Sequence, residues 1–189
     1  MKIVLYFGSF NPIHNGHLII ANHVLNTMDI GKLWFVVSPQ NPFKKEADLL
    51  KESDRLMLIQ AAVQQDERIL VSDIEFHLPK PSYTIHTLEY LKEKYAEYEF
   101  SILMGSDSFK DIRKWKNFES ILDGYSILVY RRPGHEIENK LPASIEILDA
   151  PLLEISSTSI RELIKHGKSI RYLVPEKVRE EIERNQFYS

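Results

Sequence analysis

Apolar positions along the chain fall into two alternating patterns. Short, nearly continuous apolar runs occupy residues 3–7 (IVLYF), 33–37 (LWFVV), 69–71 (ILV), 100–104 (FSILM) and 125–130 (YSILVY). Runs of this length without polar alternation are typical of strands covered on both faces. Residues 144–148 (SIEIL) form a sixth candidate strand. Between these runs lie stretches whose apolar residues recur at helical spacing. They are residues 18–25, 53–63 with Ser53 as the expected N-cap, and a segment capped by Ser82 or Thr84 and running to about Tyr95. Met57 reads as a core side chain and His86 as a surface one. A last helix is expected to start at Pro175. Strand, helix and strand joined by short links such as Asp29-Ile30-Gly31 make βαβ units. A parallel sheet with right-handed crossovers follows. The expected fold class is α/β, a doubly wound parallel sheet with helices on both faces and a small C-terminal helical element.

Composition narrows the function classes only modestly. The 189 residues carry no internal repeat, low-complexity tract or linker, so one domain spanning 1–189 is expected. A net charge of −3 argues against a general nucleic-acid or membrane-surface binder. It leaves room for a small anionic ligand, which needs only local cations. With no cysteine, disulfides and thiol catalysis are excluded. No apolar run approaches the roughly 20 residues of a membrane span, and no leader precedes the first strand, so a cytoplasmic location is expected. Oligomeric state stays open.

Candidate chemistry begins directly after the first strand, at Gly8-Ser9-Phe10-Asn11-Pro12-Ile13-His14-Asn15-Gly16-His17. A strand, a glycine-bearing turn and a helix N-terminus form a natural anion site, because unpaired N–H groups and the helix dipole point at the ligand. His14 and His17, three apart, are expected on one helix face. A second helix start, Ile155-Ser156-Ser157-Thr158-Ser159-Ile160-Arg161, crowds hydroxyls and a guanidinium at the same kind of terminus. At this level bland alternatives remain. His-x-x-His is half a metal site, the glycines make a tight turn, and Ser159-x-x-Glu162 is a capping box.

The first motif resembles the H-x-G-H signature of the nucleotidylyltransferase superfamily. In its longer form, Gly8-Ser9-Phe10-Asn11-Pro12 followed by His14-x-Gly16-His17, it is similar to that of the nicotinate and nicotinamide mononucleotide adenylyltransferases. Ile155-Ser156-Ser157-Thr158-x-Ile160-Arg161 matches the family's second motif, and Tyr172-Leu173-Val174-Pro175 its C-terminal element. The resemblance implies a Rossmann-like sheet, ATP and nicotinate mononucleotide as substrates, and Mg²⁺ held mainly by phosphates rather than by protein ligands. It implies catalytic roles for His14, His17, Lys44 and Arg161. ATP would be bound by Gly8, Ser9, Phe10, His14, His17, Gly105, Asp107, Ser156, Ser157, Thr158 and Arg161. The mononucleotide would be bound by Lys44, Tyr83, Thr84, Trp115 and Arg132. Two departures stand out. The loop Asn41-Pro42-Phe43-Lys44 has Phe43 where the bacterial nicotinate enzymes usually have histidine, and Gly105-Ser106-Asp107 replaces Gly-Ala-Asp.

The implied reaction is adenylyl transfer, giving nicotinate adenine dinucleotide and pyrophosphate in NAD synthesis. Its nucleophile is a phosphate with a second pKa of about 6, mostly ionised at neutral pH, so no strong general base is required. What the reaction needs is alignment of two anions and neutralisation of the leaving group. Three alternatives stay open from the sequence. The enzyme could take nicotinamide mononucleotide, alone or alongside the acid. Phosphopantetheine could be the nucleophile, although Tyr83-Thr84, Trp115 and the Tyr172 element fit it less well. More remotely, the chain could be a non-catalytic nucleotide-sensing module.

Overall fold

The computed structural model describes residues 1–39, 49–135, 137, 142 and 144–189. The chain enters directly into β1 (Lys2–Gly8), followed by α1 (Asn15–Thr27), β2 (Lys32–Val37), α2 (Glu52–Val63) and β3 (Ile69–Ser72). The second half continues with α3 (Thr84–Lys94), β4 (Glu99–Gly105), α4 (Ser106–Phe109), α5 (Phe118–Gly124), β5 (Ser126–Tyr130), β6 (Ile145–Leu148), α6 (Ser157–Lys165) and α7 (Glu176–Asn185). Short 3₁₀ turns at Ile74–Phe76 and Ile112–Lys114 lead out of β3 and α4.

The six strands form one parallel sheet in the order β3-β2-β1-β4-β5-β6. Apolar residues on both strand faces are explained by two cores. On one face Val4, Tyr6, Leu33 and Phe35 pack with Ile20 and Val24 of α1, Leu58 and Ile59 of α2, Ile160 of α6 and Val178 and Ile182 of α7. On the other, Ile3, Leu5, Trp34 and Val36 pack with Ile85, Leu88 and Leu91 of α3 and Ile121 of α5. Successive strand residues alternate between the two sides, as the two-residue period of a strand requires. β1 pairs with β2 on one side and β4 on the other, so the order reverses there. A crevice at the carboxyl ends of those two strands is where open α/β sheets bind ligands. Among the described residues no helix is long and apolar enough to cross a membrane.

Two helix starts depart from the sequence reading by one or two residues. α2 has Lys51, not Ser53, at its N-cap, with Glu52 and Asp54 in the first turn to meet the positive helix end. α3 has Tyr83 at its N-cap and no side-chain cap. The Ser82 hydroxyl instead donates to the Glu75 carboxylate at 3.0 Å, a charge-assisted bond. α6 is capped by Ser156, whose Oγ accepts the Ser159 N–H at 3.1 Å, not by a Ser159–Glu162 box. His86 is half-buried and stands edge-on to Tyr83 at 5.7 Å, not on the surface.

Candidate functional site

The turn after β1 is built around Phe10. Its backbone is left-handed (φ 47°), a conformation costly for a non-glycine residue. Core packing holds it there. The ring is 3% exposed and meets Tyr6, Phe35 and His17 at centroid distances of 5.5, 5.1 and 5.1 Å. Gly8 is required by the same ring, since a Cβ there would lie 2.8 Å from the tip of Phe10. The space that Gly8 leaves therefore holds protein, while its backbone borders the cleft.

His14 is the N-cap of α1 in extended backbone (φ −147°, ψ 168°), so the two histidines do not share a helix face by regular spacing. They stack directly, with ring centroids 3.7 Å apart. A Cβ at Gly16 would lie 2.9 Å from His14 Nδ1, which explains the glycine between them. The His14 backbone N–H donates to His17 Nδ1 at 3.3 Å. A neutral ring whose Nδ1 accepts carries its proton on Nε2. Both imidazoles are held neutral. Burial, then the Arg132 charge, lowers His14 to about 3. Burial, then His14, then Arg132 holds His17 well below the usual histidine range. These rings are hydrogen-bonding groups rather than cations.

Arg132 stands at the carboxyl end of β5, where the Ser106 hydroxyl meets its backbone N–H at 2.9 Å. Its guanidinium Nε lies 3.8 Å from Asp107. Under it, Tyr6 donates to Tyr130 at 2.8 Å in a buried pair. A small recess links Arg132, Tyr130 and Tyr6 to both histidines. The charge of the arginine is thus felt by both histidines.

α6 brings the second motif to the same turn. The Ser157 hydroxyl donates to Pro12 O at 2.9 Å, and Arg161 Nη1 donates to Asn11 O at 2.8 Å. Arg161 lies in the second turn of α6 rather than the first, and is 8% exposed. Its buried Nε–H has no hydrogen-bond partner among the described residues. Ser156 and Ser157 have their hydroxyls engaged by the cap and by Pro12, whereas Thr158 is exposed. The C-terminal segment reinforces the clamp. Asn15 binds Tyr172 O and Leu173 O through its side chain and backbone, and Tyr188 donates to Asn11 Oδ1 at 2.8 Å.

Across the cleft, the entry to α3 is pinned by Glu75. This carboxylate is 2% exposed and accepts from Ser82 at 3.0 Å and Thr87 at 2.9 Å. The Ser38 side chain also favours its ionised form. Burial, partly offset by those hydroxyls, raises its pKa above the usual carboxylate range. Tyr83 and Thr84 follow immediately. Lys116 Nζ sits 4.8 Å over the Tyr83 ring, and Trp115 is half-buried beside them.

One cleft of about 680 Å³ joins these groups. Gly8, Ser9, Phe10, His17, Ser156, Ser157, Thr158 and Arg161 line one side. Tyr83, Thr84 and Trp115 line the other, with Gly105, Asp107 and Arg132 at the strand ends between them. His14 borders the adjoining recess, behind His17. Lys44 and Phe43 lie outside the described residues. Sequence reasoning missed Glu75, Tyr6, Tyr130 and a fully buried arginine, Arg55, on α2. A lone arginine in a helical pattern and an acid in a loop carry no local mark of burial. Among the described residues no group of three His, Asp or Glu side chains is placed to hold a metal ion.

Comparison with known proteins shows the family and the fold. The cytidylyltransferase-like family model matches residues 5–163. A probable nicotinate-nucleotide adenylyltransferase of Flavobacterium johnsoniae is 52% identical, with 100% of this chain and 99% of the relative covered. Its counterpart in Cytophaga hutchinsonii is 50% identical at the same coverage. Among solved structures, the nicotinic acid mononucleotide adenylyltransferase of Plasmodium falciparum, complexed with NaAD, has the same fold. The TM-score is 0.85 at 21% identity, over 99% of this chain and 97% of that one.

Proposed function

The chain belongs to the cytidylyltransferase-like family and, within it, to the nicotinate-nucleotide adenylyltransferases, and from that membership we propose that it joins ATP and nicotinate mononucleotide into nicotinate adenine dinucleotide. The observation that carries the reading is a single cleft bordered by two phosphate-type helix starts on one side and by Tyr83, Thr84 and Trp115 on the other. We take residues 1–189 to act as one domain, since one sheet carries both cores.

In this reading the mononucleotide phosphate attacks the α-phosphorus of ATP, and pyrophosphate leaves. The start of α6 and Arg161 hold the triphosphate, and a phosphate oxygen satisfies the Arg161 Nε–H. His17 Nε2–H donates to an oxygen whose charge grows in the transition state. His14 keeps that ring in its tautomer through the backbone bond. Arg132, beside both histidines, supplies positive charge that the neutral imidazoles do not. Gly105 and Asp107 contact the nucleoside. Among the described residues no set of His, Asp or Glu is placed to hold a metal, so a Mg²⁺ accompanying ATP would rest mainly on phosphate oxygens and would supply charge neutralisation for the leaving group. Lys44 remains a proposed phosphate contact on the strength of its sequence motif.

Substrate preference follows from donors and acceptors. Nicotinate presents only acceptors, whereas nicotinamide brings an NH₂ donor. The N–H groups at the start of α3 favour the carboxylate and leave the amide's NH₂ without an acceptor. An unpaired buried polar group costs about 1–3 kcal/mol, so a preference of about ten- to hundredfold for the acid is expected. Trp115 stacks on a cationic ring in both substrates, so Trp115→Ala should weaken both alike, while Thr84→Ala should change their ratio. A pyrophosphate-release assay with nicotinate mononucleotide, nicotinamide mononucleotide and phosphopantetheine tests the reading. Equal kcat/KM for the two mononucleotides would replace it with a dual-specificity enzyme. No turnover with any of the three would leave a nucleotide-binding module.

A further inference from the structure

Arg55 projects from the second turn of α2 into the protein interior and is 0% exposed. Its guanidinium gathers carbonyl oxygens from three separate segments. Nη1 donates to Ser9 O at 2.6 Å and to Ser38 O at 2.8 Å. Nη2 donates to Pro39 O at 2.8 Å, and Nε to Leu50 O at 3.0 Å. Ser9 belongs to the turn after β1, on the phosphate side of the cleft. Ser38 and Pro39 belong to the chain leaving β2. Arg55 itself does not line the cleft, whereas Ser9 and Ser38 both do.

These bonds continue on both sides. Ser38 and Glu75 line the same cleft, and Glu75 holds Ser82 and Thr87, which flank the α3 entry at Tyr83 and Thr84. In the other direction, Leu50 N–H donates to Asn11 Oδ1 at 3.2 Å, and Asn11 O accepts from Arg161. Hydrogen bonds therefore run from the phosphate-side groups through Arg55 to Ser38, which lines the cleft together with Glu75 at the α3 entry. Past the ladder of β1 and β2, the Ser38 N–H donates to Gly8 O at 2.9 Å. It lies one residue before the point where the stems diverge. Beyond it, among the described residues, one nitrogen of the planar guanidinium bridges the carbonyls of Ser9 and Ser38.

We infer that Arg55 is a positioning residue that fixes the distance between the two substrate half-sites, through the carbonyls of Ser9 and Ser38. The inference rests on the proposed function. Attack in line on the α-phosphorus depends on the placement of one bound nucleotide relative to the other, so a shift of the half-sites penalises reaction more than binding of either substrate alone. Lysine cannot substitute. Its ammonium has three donors around one point, and the guanidinium has five spread over a plane.

The test compares Arg55→Lys and Arg55→Met with the unaltered protein, the methionine variant keeping apolar volume without a buried charge. Calorimetry measures ATP, nicotinate mononucleotide and the dinucleotide product separately. The dinucleotide occupies both half-sites at once and reports their spacing without turnover. Expected in a folded variant is binding of each mononucleotide within about twofold of the unaltered protein, with dinucleotide affinity and kcat lowered about tenfold or more. Equal weakening of all three ligands, an unchanged dinucleotide affinity, or failure of both variants to fold would each overturn the inference. An unaltered protein that does not turn over either mononucleotide would instead overturn the proposed function. The dinucleotide measurement keeps the two failures apart.

Discussion

At the scale of single residues, the site works by fixing hydrogen-bond geometry rather than by stocking charge. His17 has its tautomer set by the His14 backbone N–H and its neutrality by burial and by the neighbouring His14 and Arg132. A donor held this way costs no reorganisation when charge develops on a phosphate oxygen. Removing one such donor typically costs about 2–4 kcal/mol of transition-state stabilisation. His17→Ala should therefore lower kcat about a hundredfold or more, with circular dichroism and melting behaviour close to the unaltered protein. Full activity in a folded His17→Ala protein would remove the histidine from the mechanism.

At the scale of elements, the decisive arrangement is the clamp that α6 and the C-terminal segment place on the turn after β1. Arg161 divides its guanidinium between Asn11 O and a buried Nε–H with no described partner. A lysine could keep one contact but not both, so Arg161→Lys should lose most of the ATP-dependent rate. Wild-type kinetics in that variant would reduce the second motif to a helix cap. Tyr188 is buried, adopts left-handed backbone (φ 66°) and donates to Asn11 Oδ1. Tyr188→Phe deletes one hydroxyl with the ring left in place. Denaturant titration should show a loss of about 1 kcal/mol. An unchanged midpoint would mean that this contact does not hold the turn.

For the whole molecule, burying two histidines makes stability depend on pH. An unfolded chain takes up a proton on each histidine near 6.5, whereas folded His14 does so only near 3 and His17 well below 6.5. Between those limits the unfolded state binds more protons, so stability is fully present above about 6.5 and falls as pH drops towards 3. Each imidazole contributes at most about 1.4 kcal/mol per pH unit. Glu75 acts in the opposite sense, because its raised pKa lets the folded state take up a proton first on acidification. Denaturant titrations of the unliganded protein at pH 7.5 and 5.5 should show lower stability at 5.5. His14→Gln should shrink that difference, and an undiminished difference would mean that His14 is not its source.

The sequence by itself determined the strands, their parallel pairing and the two motifs that meet at the cleft. Continuous apolar runs such as 33–37 admit little except a strand covered on both faces, and strand–helix alternation with short links leaves few topologies. Phosphate-type helix starts were legible because a glycine turn, a histidine pair and a hydroxyl cluster are local in sequence. Tertiary structure decided what depends on distant partners. Ser82 fell one residue before the N-cap, Tyr83, and its hydroxyl donates to the buried Glu75 carboxylate, a partner from another segment. The histidines became neutral donors, because burial and a nearby guanidinium act through space. Arg55 became a hub, because three segments far apart in the chain turn their carbonyl groups to one point in the fold, and no local pattern records where a carbonyl will face.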